Sequence, residues 1–161
     1  MAEGEVALIP HHLEAALHRP PVHVRFGSAA SDLDLYVLYA EYSALARAPD
    51  LKTHARRALE AAVRLGHPLY QGIAQRALGV GHRLDGEWAE AEKCFGQALS
   101  LFQAVPAPWQ SARTLWAFAE LEHDRGNMTG TRDYFARALS DFEALGATPD
   151  AERAAQALRS F

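Results

Sequence analysis

Three short strings recur in this chain at one fixed step, Ala58-Leu59-Glu60, Ala98-Leu99-Ser100 and Ala138-Leu139-Ser140. The same step relates Leu38, Leu78, Phe118 and Leu158, and also Leu65, Val105 and Leu145. It recurs in Phe95/Phe135, Phe102/Phe142 and Gly86/Gly126. Coincidence at so many positions is improbable. A period of about 40 residues restricts the chain to an array of supersecondary units, each packing mainly on its neighbours. The units fall at about 32–71, 72–111 and 112–151, with a half-unit after them.

Within a unit the apolar spacing is helical: Tyr134, Phe135, Ala138, Leu139 and Phe142 recur at three and four residues, as one helix face requires. Two helices per unit follow, because breaks come twice. Asp85-Gly86 and Arg125-Gly126-Asn127 interrupt units, while Gly66-His67-Pro68, Pro106-Ala107-Pro108 and Gly146-Ala147-Thr148-Pro149 separate them. Pro68, Pro108 and Pro149 suit a first helical turn, where the missing amide hydrogen has no partner to lose, and Thr148 is placed to cap the last helix. Only Val22-His23-Val24-Arg25-Phe26 alternates as a strand would, and that piece stays ambiguous.

A chain of 161 residues has the length of one domain, and its composition, 49% hydrophobic and 22% charged, is globular. Sixteen Lys and Arg against twenty Asp and Glu leave a net charge of -4, so the phosphate-neutralising excess that drives direct nucleic-acid binding is missing. No apolar run approaches the roughly 20 residues of a membrane span. A lone cysteine, Cys94, excludes an intrachain disulfide framework and a multi-cysteine zinc site. With no basic, apolar leader at its start, the chain is expected in the cytoplasm.

Leu78-Gly79 on a first helix, Gly86 before the second, then Ala91, Phe95 and Ala98-Leu99 make a pattern that resembles the tetratricopeptide repeat, TPR. The third unit is similar through Phe118-Ala119, Gly126, Phe135 and Ala138-Leu139, but Thr131 stands where alanine is usual and Glu122 where an aromatic is usual. The first is weakest: Leu38-Tyr39, Leu51, Ala55 and Ala58-Leu59 remain, and Ala46 replaces the turn glycine. The resemblance covers positions 31–161 and leaves 1–30 as an extension or N-terminal cap. It implies an all-α fold, an α-solenoid of about three TPR-like hairpins with a C-terminal capping helix. Since the step exceeds the roughly 34 residues usual in the family, a longer second helix is expected.

Small residues at Gly79, Ala91, Ala98, Ala119 and Ala138 mark close helix crossings, and Leu78, Phe95, Phe118 and Phe135 fill the space between hairpins. In residues 148–159, Ala151, Ala154, Ala155 and Leu158 form an apolar stripe, opposite Glu152, Arg153, Gln156 and Arg159. Such a helix, polar outside, can end the array.

Chemistry-bearing motifs are scarce. His11, His12, His18 and His23 lack the tight spacing of a zinc site, so solvated or capping histidines are the better reading and no metal is expected. Cys94 follows Lys93, which could lower a thiol pKa, yet no base or oxyanion site accompanies it, and packing explains it better. Gly79-Val80-Gly81 lacks the strand that a dinucleotide loop needs. The chain reads as non-enzymatic and without cofactor.

The resemblance locates function in the concave groove, at positions 2, 5, 9 and 12 of each first helix. These are Leu33, Tyr36, Ala40 and Ser43; Ile73, Arg76, Val80 and Arg83; and Arg113, Trp116, Glu120 and His123. Tyr36, Arg76, Arg83, Arg113, Trp116, Glu120 and His123 are the candidate partner-binding residues, with the arginines and Trp116 expected outside the hairpin core. The bland alternative is that the arginines are merely solvated. The family's Lys/Asn clamp for a peptide C-terminus is absent. Two functions follow as expectations. One is a scaffold or adaptor for a protein or peptide. The other is a sensor or regulatory module, with or without a small ligand, because the repeats and the final Ala-rich helix look like C-terminal repeat regions of bacterial multidomain regulators. Partners would then be a protein, a peptide or other domains of a larger regulator, with neither membrane nor nucleic acid contacted directly; a homo-oligomer is compatible with either.

Overall fold

The computed structural model describes residues 28–160, so His11, His12, His18, His23 and the stretch 22–26 lie outside the described residues. Among the described residues seven helices follow one another: α1 Ser28–Ala46, α2 Leu51–Arg64, α3 Pro68–Leu84, α4 Trp88–Ala104, α5 Pro108–Asp124, α6 Met128–Ala144 and α7 Thr148–Arg159. No strand occurs among the described residues. Each helix packs on the next, and α3 also touches both α1 and α5. Antiparallel hairpins therefore stack side by side, with α1, α3 and α5 as one row. The fold is all-α and solenoid-like, as expected.

In hairpins two and three, every helix has 17 residues and every turn three, which together make one period. The expected lengthening of the second helix alone is thus corrected: both helices share the extra residues. First helices begin at Ser28, Pro68 and Pro108, four positions before the unit boundaries at 32, 72 and 112. Pro68 and Pro108 sit in the first turn as expected, and Pro149 does likewise. Thr148 is corrected too. It is the first residue of α7 and makes no capping bond; Ala147 holds the cap position. At α6 the Asn127 side chain does cap, accepting from the Gly130 amide at 3.1 Å.

Helix crossings explain the small residues. A Cβ on Gly79 would lie 2.5 Å from the Phe95 ring, and one on Gly72 would lie 2.5 Å from that of Phe102, so α3 and α4 meet only because hydrogen stands at both places. Phe95 in turn meets Phe118 edge-on, with centroids 5.2 Å apart, and Phe118 stacks on Tyr134 at 4.9 Å. This aromatic run welds hairpin two to hairpin three. Thr131, where the repeat pattern usually has alanine, is buried without loss because its hydroxyl donates to the Asn127 carbonyl at 2.9 Å.

At the C-terminal end, Ala154 is buried and Ala151 packs with Ala112, Leu115, Ala138 and Phe142, while Glu152, Gln156 and Arg159 face outward. Trp109 ties α5 to α7, its indole N–H donating to Asp150 at 3.0 Å.

A candidate site on the inner helix row

Ile73, Arg76, Val80 and Arg83 recur on α3 at spacings of three, four and three, which places them along one helix face. One period later Arg113, Trp116 and Glu120 occupy the same face of α5. The two faces form walls of a cavity of about 270 Å³, completed by Glu41, Ala44 and Leu45 of α1, Arg47 just after it, and Asp150 and Arg153 of α7. With Phe142 of α6 also lining it, five helices thus contribute to one concavity.

Its polar frame turns on Glu41. The carboxylate oxygen Oε1 accepts from Arg76 of α3 and, at 2.9 Å, from Arg113 of α5, two hairpins along the chain. Arg76 donates further to the Gln110 carbonyl at 3.1 Å and to its side-chain oxygen at 2.6 Å. Burial first, and then the charge of Arg113, pull the Arg76 pKa down to about 10, with Glu41 acting in the opposite sense. The guanidinium therefore stays charged at neutral pH. Arg83 pairs with Glu120 at 3.0 Å and with Asp124 at 3.1 Å, but its Nε–H is buried without an acceptor.

Aromatic rings form the rest of the frame. Trp116 donates to Glu120 at 3.1 Å and meets the Phe135 ring edge-on at 5.0 Å. Arg153 lies 5.7 Å from the Trp116 ring centre and Arg113 lies 4.8 Å from that of Trp109, both within cation–π range.

Of the expected residues, Arg76, Arg83, Arg113, Trp116 and Glu120 come together in this cavity. Tyr36 does not line it; that ring is half-buried against the apolar core to which Leu33, Leu51 and Ile73 belong. His123 is exposed near the end of α5, outside the cavity walls. The expectation that the arginines and Trp116 stand clear of the core is corrected: Arg76 and Arg83 are each 5% exposed, and half-buried Trp116 packs on the core formed by Ala112, Leu115, Ala138 and Phe142. Leu33, Ala40 and Ser43, expected in the groove, are buried. Glu41, Leu45 and Arg153 belong to the cavity although the sequence pattern does not single them out. Glu41 stands one position beyond the groove register at Ala40, and the amphipathic pattern of α7 puts Arg153 on its outer face.

Cys94 is buried, and desolvation pushes its thiol pKa up rather than down, the direction that burial against the core gives. Among the described residues no group of three or more His, Cys, Asp or Glu side chains is placed to hold a metal ion, and no helix is long and apolar enough to cross a membrane. No protein-family model matches the chain, and no curated protein matches it either.

Proposed function

We propose that this protein is a non-catalytic scaffold, built like a TPR array, that binds a protein or peptide segment on its concave face. The observation that supports this reading is the convergence of Arg76, Arg113, Trp116, Glu120 and Arg153 from three helices of the inner side on one cavity. Arginine and tryptophan are enriched among binding hot spots because each offers a large contact area with a directional polar end. Leu45 adds an apolar anchor at the wall while remaining 72% exposed. An exposed leucine beside half-buried charges is what an amphipathic segment would cover.

A second reading, a ligand-sensing module of a cytoplasmic bacterial regulator, is supported by a different feature. The cavity lies just under the roughly 300–1,000 Å³ of small-molecule pockets. Peptide selection from a displayed library, followed by Leu45→Glu, tests the scaffold. This change touches no buried contact, so the fold should persist while selected peptides bind at least about tenfold more weakly, the loss of one anchor of about 1.4 kcal/mol. Peptides indifferent to Leu45→Glu would place the binding surface elsewhere.

A further inference from the structure

The cavity is positively charged on a negatively charged protein. Five arginines line it, Arg47, Arg76, Arg83, Arg113 and Arg153, against the carboxylates Glu41, Glu120 and Asp150 of the walls and that of Asp124, which pairs with Arg83, so that one positive charge is in excess. The imbalance concentrates where Arg76 and Arg113 converge on the single oxygen of Glu41, two guanidinium groups sharing one carboxylate. One positive charge there has no counter-charge among the described residues, in a place where burial has already weakened solvation. A second sign is independent of the first. Arg83, in the wall of the same cavity, keeps its Nε–H buried with no acceptor among the described residues, and buried donors are normally satisfied.

From these two features we infer that the cavity takes a carboxylate borne on a small apolar body. The carboxylate would sit among Arg113, Arg76 and Arg153, where planar guanidinium groups can meet it with paired hydrogen bonds. The body would rest on Trp116, Ile73 and Val80. A single negative charge balances the unshared charge of the Arg76–Arg113–Glu41 cluster, whereas the doubly charged phosphate group would meet Glu41, Glu120 and Asp150 with charge to spare. The volume of about 270 Å³ admits one ring and its acid group rather than a larger ligand. Either a free organic acid or the acidic side chain of a bound segment supplies this chemistry. The inference rests on the concave face being the binding surface, and it names what that surface recognises.

Calorimetric titration of the full chain with phenylacetate, its neutral analogue phenylacetamide, and the blocked peptide acetyl-Ala-Glu-Phe-Ala-amide tests it. Phenylacetate should bind about tenfold or more tightly than phenylacetamide, as one charge-assisted hydrogen bond predicts. Binding of the peptide but not of phenylacetate assigns the carboxylate to a peptide side chain and equally supports the inference. Arg113→Gln should weaken the acid by a similar factor. Because that change also removes one of the two donors to Glu41, Arg153→Gln serves beside it: its side chain is 70% exposed, so the fold should survive. Equal binding of acid and amide, no binding of acid or peptide, or affinity unchanged in both variants would overturn the carboxylate site. A partner blocked by Leu45→Glu but indifferent to carboxylate would leave the scaffold standing without this site; the converse pattern would leave the site without the scaffold.

Discussion

Hairpin one and hairpins two and three occupy the same repeat yet differ where it matters most. Leu38, Leu78 and Phe118 hold equivalent positions one period apart, and they are 55%, 8% and 7% exposed. Leu78 is covered because it shares one buried core with Ala58, Ala61 and Ala62 of α2, and Phe118 because it shares one with Ala91 and Phe95 of α4. Nothing in the described residues precedes α1 to do the same for Leu38. Burial at this position therefore belongs to the neighbouring hairpin and not to the residue's own. Filling differs as well. Where α4 places Phe95, α2 places Ala55. Hairpin one is also less regular, with helices of 19 and 14 residues instead of 17 and 17.

The sharpest way to break this contrast is at the thick side. Phe95→Ala leaves a cavity between Gly79 and Phe118 that α3 cannot close without bringing backbone against backbone, so stability should fall by about 3–5 kcal/mol. Chemical denaturation measures it. A loss under about 1 kcal/mol, the size of an ordinary surface change, would mean that hairpin two is not held by this ring.

Next comes the equivalent pair itself. Leu78→Ala should cost about 2–5 kcal/mol as a buried large-to-small change, and Leu38→Ala should stay within about 0.5 kcal/mol, as exposed positions do. Equal losses would show that Leu38 is covered in solution. The pair therefore reads out whether α1 has a neighbour.

These positions also show how far the sequence reaches. The repeat step, the Leu78-Gly79 and Phe95 partners, and the prolines of the first turns were legible because each is a local requirement repeated in register. The boundaries fell four positions late because Gly-His-Pro and Pro-Ala-Pro mark a break without saying on which side of it the unit begins. At the site, the α3 and α5 residues were legible because the period carries one helix face onto the next. Glu41 was not. Its partners Arg76 and Arg113 lie one and two hairpins further along the chain, and it stands one position beyond the groove register although α1 begins on the same step as the later first helices. Burial of Arg76 was hidden for the same reason, since an arginine on a helix face reads as solvated until a carboxylate from another hairpin reaches it.

A smaller effect concerns the turns. Gly86 and Gly126 take the left-handed backbone with φ of 76° and 79°, whereas the first hairpin puts a side-chain-bearing residue, Arg47, at φ 51°. A left-handed residue with a Cβ costs about 1–2 kcal/mol. Arg47→Gly should accordingly stabilise the protein by about 1 kcal/mol, and Gly86→Ala should destabilise it by a similar amount. Thermal unfolding of both variants checks the signs. A loss with Arg47→Gly would mean that the Arg47 side chain, beside the cavity, contributes more than its backbone strain.

The smallest effect lies at the seam where the irregular hairpin meets the regular one. Lys52 of α2 reaches the α3–α4 turn, pairing with Asp85 and, at 3.0 Å, with Glu87, which also bonds His82. The hydrogen bond from His82, and next that from Lys52, hold the Glu87 carboxyl below its ordinary value of 4.5, and Asp85 with Glu87 raises the Lys52 ammonium. A depressed carboxyl stabilises the fold above its unfolded pKa, and that contribution is lost as pH falls through the lower folded value. A raised ammonium works in the opposite window, its contribution being lost only as pH climbs through the raised folded value. Both groups are open to solvent, so the effect is small and falls with salt. Glu87→Gln should consequently lower the melting temperature slightly at pH 7, and the gap from wild type should narrow as pH is lowered below the ordinary carboxyl value of 4.5 and Glu87 takes up its proton. A gap that does not narrow on acidification would assign the contribution of Glu87 to turn packing, and the tie between the two hairpins would then rest on Lys52 and Asp85 alone.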